Sequence, residues 1–183
     1  MVNYLTNEYL PSENKEAKLT PEKYINACNL VASDIEKILK EKDIDVEDVL
    51  MVGVARGGLP LMVGVSHRTG IRNCTSVQIK MNKSDNKNDY GKAHILNGQV
   101  DKNKKYYFVF EDIIYKGQSI NLLMDTLGED AEKVLGIYTL VLDDNFEATN
   151  VFNYDLNLIK PCYKLHQDHW TYFYWEKGYK VWK

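Results

Sequence analysis

Two short segments of the chain carry residue types that can bind phosphate groups and sugar hydroxyls. Arg56–Gly58 follows an apolar run, and the backbone N–H groups of such a turn can hold an anion together with the guanidinium. Glu111 and Asp112 end another apolar run, where paired carboxylates need solvent, hydroxyls or a metal as partners. Gly117–Ser119 then opens a predicted helix that suits a phosphate. The alternatives are a plain strand-to-helix turn and a carboxylate pair that faces water at the sheet edge.

The spacing of apolar residues predicts the elements that would position these segments. Thr20 and Pro21 are typical of a helix start, and an apolar stripe follows with a helical period to near Lys42. Short apolar runs predict buried strands. The predicted strands are Val49–Val54, Cys74–Met81, Tyr106–Phe110 and Val134–Leu142, and the further helices are Leu59–His67 and Gly117–Leu127. This alternation indicates an α/β fold with a mainly parallel, twisted sheet flanked by helices, which binds ligands at the carboxyl ends of its strands.

The remaining segments suggest how the chain is organised around that sheet. Residues 1–19 are polar and predict an N-terminal arm or a short extra strand outside the core. Residues 20–145 would form the core, and within them 82–99 are rich in Asn, Asp, Lys and Gly, which is typical of a mobile lid. Residues 146–183 are rich in aromatic residues and would form a small C-terminal hood.

The composition excludes several classes of protein. A net charge of −3 argues against broad binding of nucleic acid through its phosphates. The three cysteines form no CxxC pair, which argues against a disulfide scaffold or a zinc site and suits a reducing compartment. No apolar stretch approaches the roughly 20 residues of a membrane span, and the first residues lack the pattern of a signal peptide. These features predict a soluble cytoplasmic protein.

Three motifs resemble those of the type I phosphoribosyltransferase family. Phe108–Ser119 resembles its ribose-phosphate signature, and Gly53–Pro60 resembles the pyrophosphate loop of its xanthine-guanine branch. Asp168–Trp170, with Trp175–Glu176 downstream, is similar to the hood segment over the purine in that branch. The resemblance runs with gaps over about residues 23–178 and implies the fold of that family.

The resemblance also implies an activity. The protein would transfer the phosphoribosyl group from phosphoribosyl pyrophosphate (PRPP) to a purine base such as xanthine, guanine or hypoxanthine, with Mg²⁺ and release of pyrophosphate. It would be a homo-oligomer, a dimer or a tetramer. The runner-up functions are a non-catalytic binder of PRPP or nucleotide and a phosphoribosyltransferase for another nitrogen heterocycle.

Roles for individual residues follow from the same resemblance. Catalysis would rest on Arg56, Glu111 and Asp112, and the two carboxylates would hold the ribose hydroxyls directly or through Mg²⁺. Trp170 would stack on the base, and the Thr171 backbone would read its edge. The pyrophosphate loop would be Ala55, Arg56, Gly57 and Gly58, with a cis peptide bond between the first two. The 5′-phosphate would be held after Tyr115 by Lys116, Gly117, Gln118 and Ser119.

The phosphate loop departs from the family pattern at two positions. Where the family usually has Asp and then Thr, this chain has Tyr115 and Lys116. The missing Asp is the residue generally assigned to help move the ring proton of the purine, and such help contributes roughly 10²–10⁴-fold to rates. Its loss leaves three readings open, namely a slow enzyme, a different base or a binder. Lys116 would add a positive charge beside the 5′-phosphate.

A second departure concerns the position that contacts the exocyclic oxygen of 6-oxopurines. The family usually places Lys at the end of the fourth strand, and this chain has Asp143 and Asp144. A carboxylate accepts hydrogen bonds, so Asp143 facing the base would favour an amino group; the alternative is a solvated turn. His166 and His169 flank Asp168, and we interpret them as a hood loop in preference to a metal site.

Overall fold

The computed structural model describes residues 1–83, 90–149 and 151–176. In chain order its elements are β1 (Ser12–Glu13), β2 (Glu16–Leu19), α1 (Pro21–Lys42), β3 (Val49–Ala55), α2 (Gly58–Thr69), β4 (Cys74–Lys83), β5 (Tyr90–Asn97), β6 (Tyr106–Ile114), α3 (Gln118–Leu127), β7 (Val134–Asp143), β8 (Ile159–Leu165) and β9 (Trp170–Phe173). Short 3-10 helices lie at Val46–Asp48, Gly128–Lys133, Phe146–Thr149 and Leu156–Leu158. Residues 84–89 of the predicted lid and 177–183 of the predicted hood lie outside the described residues.

The central sheet has the strand order β5-β4-β3-β6-β7-β8. Within the described residues the neighbouring strands run parallel, except that β4 and β5 are antiparallel. The predicted α/β fold with a mainly parallel sheet and flanking helices is therefore confirmed. Because β3 and β6 occupy the middle of the sheet, the segments that follow them lie next to each other at its carboxyl edge.

Apolar side chains of the central strands alternate between two hydrophobic clusters, one on each face of the sheet. In β3, Val49 and Met51 join the cluster under α1 and α2, whereas Leu50 and Val52 join the cluster under α3. A strand buried on both faces reads as a continuous apolar run, because successive side chains point to opposite faces. This explains why the predicted strands Val49–Val54 and Tyr106–Phe110 contain no charged residue.

The ends of the helices follow from local chemistry. The Thr20 hydroxyl accepts a hydrogen bond from the Lys23 N–H at 3.3 Å, and Pro21 stands where no intrahelical donor is needed. Helix α1 ends at Lys42, as predicted, and Asp43 adopts a left-handed conformation. Helix α2 ends before Gly70, whose φ of 73° is readily accessible only to glycine.

The region predicted as a mobile lid contains strands, and its mobility stays a prediction. Strand β4 continues to Lys83, and Tyr90–Asn97 forms β5, an antiparallel edge strand paired with β4. Ile95 lies opposite Ile79, and both pack against the cluster under α3. An edge strand buries one face only, so its polar residues misled a prediction based on composition.

A second, three-stranded sheet has the order β1-β2-β9, and β2 pairs in parallel with β9. Residues 1–19, predicted as an arm or one short extra strand outside the core, contain two short strands and also contribute to the core, because Val2, Leu10, Ala17 and Leu19 are buried. The hood segment divides as well: β8 extends the central sheet beside β7, and β9 joins the small sheet. We call β1, β2 and β9 the hood sheet.

The first and last thirds of the chain are further joined by a polar network. Asp34 on α1 accepts hydrogen bonds from the Tyr138 hydroxyl and the Lys160 ammonium, each at 2.7 Å. The side chains of Lys160 and Asp34 are 15% and 23% exposed, so the pair is largely withdrawn from water. The network fixes α1 against β7 and β8.

We expect Asp34→Ala to lower the free energy of unfolding by about 2–3 kcal/mol, because it leaves an ammonium and a hydroxyl without their acceptor in a poorly hydrated place. Urea denaturation measures this change. Glu41→Ala is the control, because Glu41 pairs with Lys37 on the surface, with side chains 62% and 70% exposed, and should change stability by less than about 0.5 kcal/mol. Equal effects of the two substitutions would contradict the assigned role of Asp34.

No helix in the described ranges is long and apolar enough to cross a membrane.

Candidate functional site

Three cavities open around the carboxyl ends of β3, β6 and β7. We name each after one lining residue: the Arg56 cavity of about 690 Å³, the Trp170 cavity of about 360 Å³ and the Ser119 cavity of about 110 Å³. Tyr115 and Lys116 line both the Ser119 and the Trp170 cavities. Glu111 lines the Ser119 cavity and its neighbour Asp112 lines the Arg56 cavity. The Ser119 and Trp170 cavities therefore adjoin each other, and the Arg56 cavity is linked to the Ser119 cavity through the neighbouring residues Glu111 and Asp112 of β6.

The turn after β3 packs directly against the acidic pair. The Ala55–Arg56 peptide bond is cis, as the resemblance implied. A Cβ on Gly57 would overlap the carboxylate of Asp112, and a Cβ on Gly58 would overlap the carbonyl group of Phe110. Both glycines are thus required by close approach of the turn to β6, and this contact holds the exposed Arg56 beside Asp112 in one cavity.

The Arg56 cavity combines cationic and acidic side chains. Arg56 and Lys80 supply positive charge, and Asp112 and Glu176 supply carboxylates. The Phe173 N–H donates to the Glu176 carboxylate at 3.1 Å, which orients Glu176 after β9. Such a mixture suits a polyanion that is bound together with a divalent cation.

The acidic pair lies within β6 and not at its end, because the strand continues to Ile114 beside β7. The Glu111 carboxylate accepts the Asp112 N–H at 3.1 Å, and the Asp112 carboxylate accepts the Ile113 N–H at 2.8 Å. Burial raises the pKa of Glu111 well above its ordinary value, and the Asp112 carboxylate adds to the rise. Burial also raises the pKa of Asp112, although its hydrogen bonds to Glu111 and Ile113 oppose this. The alternative of a pair that merely faces water does not fit this burial.

The Ser119 cavity is formed by the loop before α3 and by the first turn of that helix. Gly117 has a φ of 78°, and a Cβ there would stand 2.9 Å from the ring of Phe146. Glycine is therefore needed both for its conformation and for packing. Ser119 lies 3.9 Å from the Met81 sulfur and lines the cavity together with Lys116, Gly117 and Gln118. The N-terminus of α3 and Lys116 are the features of this cavity that could hold an anion, and Glu111 also lines it.

The Trp170 cavity is the part of the site in which a flat heterocycle could lie. Trp170 is 57% exposed and lines this cavity, so its indole is accessible to a ligand there. Asp143 is only 8% exposed and lines this cavity, whereas Asp144 is exposed and accepts a hydrogen bond from the Tyr9 hydroxyl at 3.0 Å. The solvated-turn alternative thus describes Asp144 but not Asp143.

The hood residues are placed by the pairing of β9 with β2. The Trp170 N–H donates to the Lys15 carbonyl at 2.8 Å, and Thr171 is paired with Ala17. Successive residues of a strand direct their backbone groups to opposite sides, so the N–H and C=O of Thr171 point away from β2. The Thr171 side chain is buried, and the residue is absent from the described lining of the three cavities.

The two histidines of the tail lie in the hood loop. His166 stacks on Tyr9, with ring centroids 4.0 Å apart, and its Nδ1 lies 3.5 Å from Asp144. His169 lines the Trp170 cavity. Within the described residues, no group of three or more His, Cys, Asp or Glu side chains could hold a metal ion by itself.

Several lining residues were not predicted from the sequence. Lys80 and Gln78 on β4 line the Arg56 cavity, as do Trp175 and Glu176. Trp175 and Glu176 lie in the motif that resembles the hood segment of the family, but the motif gave no predicted role for either residue. The chain is rich in lysine, so its sequence does not distinguish Lys80 from the others. Only the alternation of side chains along β4 separates the face of Lys80 from that of Ile79. Asp168 also lines the Trp170 cavity, and its φ of 62° marks the turn before β9.

Comparison with solved structures identifies the fold. The chain resembles the purine phosphoribosyltransferase of Pyrococcus horikoshii, with 21% identity, a TM-score of 0.65 and coverage of 92% of this chain and 99% of that one. It resembles the xanthine-guanine-hypoxanthine phosphoribosyltransferase of Helicobacter pylori, with 16% identity, a TM-score of 0.62 and coverage of 88% and 94%. A hypothetical protein of Neisseria gonorrhoeae with bound ppGpp is also similar, with 12% identity, a TM-score of 0.66 and coverage of 92% and 93%. The chain thus has the type I phosphoribosyltransferase fold.

No protein-family model matches the sequence, and no curated protein matches it.

Proposed function

We propose that the protein transfers the phosphoribosyl group from PRPP to a purine base, forming a nucleoside monophosphate and pyrophosphate. The observation that carries the proposal is that neighbouring carboxylates of β6 line two cavities, one with Arg56 and Lys80 and one at the N-terminus of α3, and that the second adjoins a cavity lined by Trp170. PRPP has a monophosphate and a pyrophosphate on either side of a ribose, so its parts match this order. The fold of the similar phosphoribosyltransferases supports the same assignment.

In this proposal the pyrophosphate lies in the Arg56 cavity. Arg56 and Lys80 attract it, and the backbone N–H groups of the Gly57 turn can donate to its oxygens. Charge develops on the leaving pyrophosphate as the glycosidic bond breaks, so fixed cations that face it stabilise the transition state. The monophosphate occupies the Ser119 cavity, which fixes the ribose between the two anion sites.

Asp112 and Glu111 fit a role in binding Mg²⁺ with the ribose hydroxyls. Carboxylate oxygens are the hard ligands that Mg²⁺ prefers, and the Gly57 turn leaves room for the Asp112 carboxylate where a side chain would overlap it. Mg²⁺ bound there would neutralise part of the charge on PRPP. The carboxylates themselves orient the ribose and stabilise positive charge that develops on it.

The test is release of pyrophosphate from PRPP and Mg²⁺ in the presence of guanine, xanthine, hypoxanthine, adenine and pyrimidines. We expect release that depends on the base and stops when EDTA removes the metal, with a matching nucleotide detected by chromatography. Release with a pyrimidine alone would favour transfer to another heterocycle. Absence of release with every base would overturn the proposed enzyme.

Tyr115 favours a second candidate, a binder of PRPP or nucleotide without turnover. Tyr115 lines the Ser119 and Trp170 cavities at the position where the family usually has the Asp that moves the ring proton. A phenol is a much weaker base than a carboxylate at neutral pH. Mg²⁺-dependent binding of PRPP without turnover, measured by calorimetry, would establish this candidate.

We further propose that the protein acts in the cytoplasm and forms a dimer or tetramer. The described cysteines Cys28, Cys74 and Cys162 are free thiols, which suits a reducing compartment. Fractionation of cells tests the location, and light scattering of the purified protein tests the assembly.

A further inference from the structure

Asp143 occupies a place in the Trp170 cavity that bears on the choice of substrate. It is the last residue of β7, and its cavity also contains Trp170, Tyr115 and Lys116. If the cavity holds the base, as the proposed function requires, the only described acidic side chains that line it are Asp143 and Asp168. Of these, Asp143 is the buried one.

The position of the Asp143 carboxylate is fixed by its own backbone. One oxygen accepts the Asn145 N–H at 2.9 Å, which is the geometry of a tight turn after the strand. Burial raises the pKa of Asp143, and the nearby carboxylates of Asp144 and Asp168 raise it further. The hydrogen bond from the Asn145 N–H acts in the opposite direction and lowers it. The group is held in place and is poorly solvated, so a hydrogen-bond donor from a ligand would satisfy it.

A carboxylate attracts an amino substituent and repels an oxo substituent, so it distinguishes between the two. It accepts a hydrogen bond from an exocyclic amino group, whereas the lone pairs of an exocyclic oxygen repel it. We propose that Asp143 makes the protein select a base that carries an amino group over the counterpart without it, and this rests on the proposed function. The substrate class is thus an aminopurine, with Trp170 stacked on its face and Asp143 at its edge.

Lys116 provides the competing possibility, because it lines the same cavity and can donate to an exocyclic oxygen. If Lys116 governed recognition, oxo bases would be preferred. The selectivity between paired bases therefore decides which residue contacts the exocyclic group.

The experiment compares two pairs of bases, adenine with hypoxanthine and guanine with hypoxanthine, in wild-type protein and in Asp143→Asn. We expect kcat/KM to be at least about tenfold higher for the amino base of one pair in the wild type. Asp143→Asn should reduce or reverse that ratio, because the amide can donate to an oxygen. Asp144→Asn is the matched control, since it removes a charge from the exposed neighbour and should leave the ratio unchanged.

Equilibrium dialysis with AMP, GMP and IMP separates failure of this inference from failure of the proposed function. Turnover without a preference for either amino base, or a preference that survives in folded Asp143→Asn, overturns the inference and leaves the transferase. Preferential binding of AMP or GMP without turnover, lost in Asp143→Asn, supports the inference and overturns the transferase. Absence of both turnover and nucleotide binding overturns both. If Asp143→Asn does not fold, the wild-type ratios decide.

Discussion

Asp112→Asn should lower kcat/KM for pyrophosphate release by about 10²–10³-fold. The Asp112 carboxylate lies in the Arg56 cavity, in contact with the turn that follows β3. Asparagine keeps the size of the side chain and can still accept the Ile113 N–H bond, but it removes the negative charge. If Asp112 acts on the ribose and Mg²⁺ as proposed, the variant loses that electrostatic contribution without losing the shape of the site.

The stability of the same variant separates a catalytic role from a structural one. Removing a buried charge relieves a desolvation cost, so the urea midpoint of Asp112→Asn should equal or exceed that of the wild type. Asp101→Asn, at an exposed position, is the matched control and should leave turnover unchanged. Full activity in Asp112→Asn, or loss of activity that merely follows unfolding, would contradict the proposed role of Asp112.

Gly57→Ala should abolish most turnover, with a loss of at least about 10²-fold, because the added methyl group overlaps the Asp112 carboxylate and either that carboxylate or the turn must move. Gly57 has a φ of −63°, which alanine adopts without strain. The effect would therefore come from displacement of the Asp112 carboxylate or of the turn that carries Arg56, and not from backbone conformation. Steady-state kinetics with varied PRPP measures it, and KM for PRPP should rise.

Gly70→Ala is the informative control because Gly70 has a left-handed backbone conformation and open space, whereas Gly57 has an ordinary conformation and a close contact. Gly70 has a φ of 73° and open space around its Cα, so alanine there is strained but meets nothing. We expect a loss of about 1 kcal/mol in stability and unchanged kcat/KM. If Gly57→Ala behaved like Gly70→Ala, the close approach of the turn to β6 would not matter for function.

Residues whose environment is set by nearby sequence were predicted well. The strand at Val49, the helix that starts after Thr20 and helix α3 follow from the apolar period, the caps and the glycine stops. The turn at Arg56 was identifiable because an arginine among glycines after a buried strand is unusual in this lysine-rich chain. Each of these signals lies within a short stretch of sequence, so each element can be predicted from its own residues without knowledge of its partners in the fold.

Features that depend on distant pairing were not predictable in the same way. Strand β5 became visible only through its partner β4, because its own composition resembles a loop. The surroundings of Asp143 likewise depend on distant pairing, because Leu165 of β8 lies opposite it and the hood loop that follows lines the same cavity. No feature of the neighbouring sequence distinguishes Lys80. Its position in the lining of the Arg56 cavity follows from its place in the sheet.

The pairing of β2 with β9 bears on how the protein matures during synthesis. Glu16 lies opposite Trp170, so one strand of the hood sheet is made early by the ribosome and its partner late. The strands and turns that form the two anion cavities are complete, apart from Trp175 and Glu176, before β9 is translated. Because contacts of such long sequence separation form slowly, we expect nascent chains to acquire affinity for phosphate groups before they can distinguish one base from another.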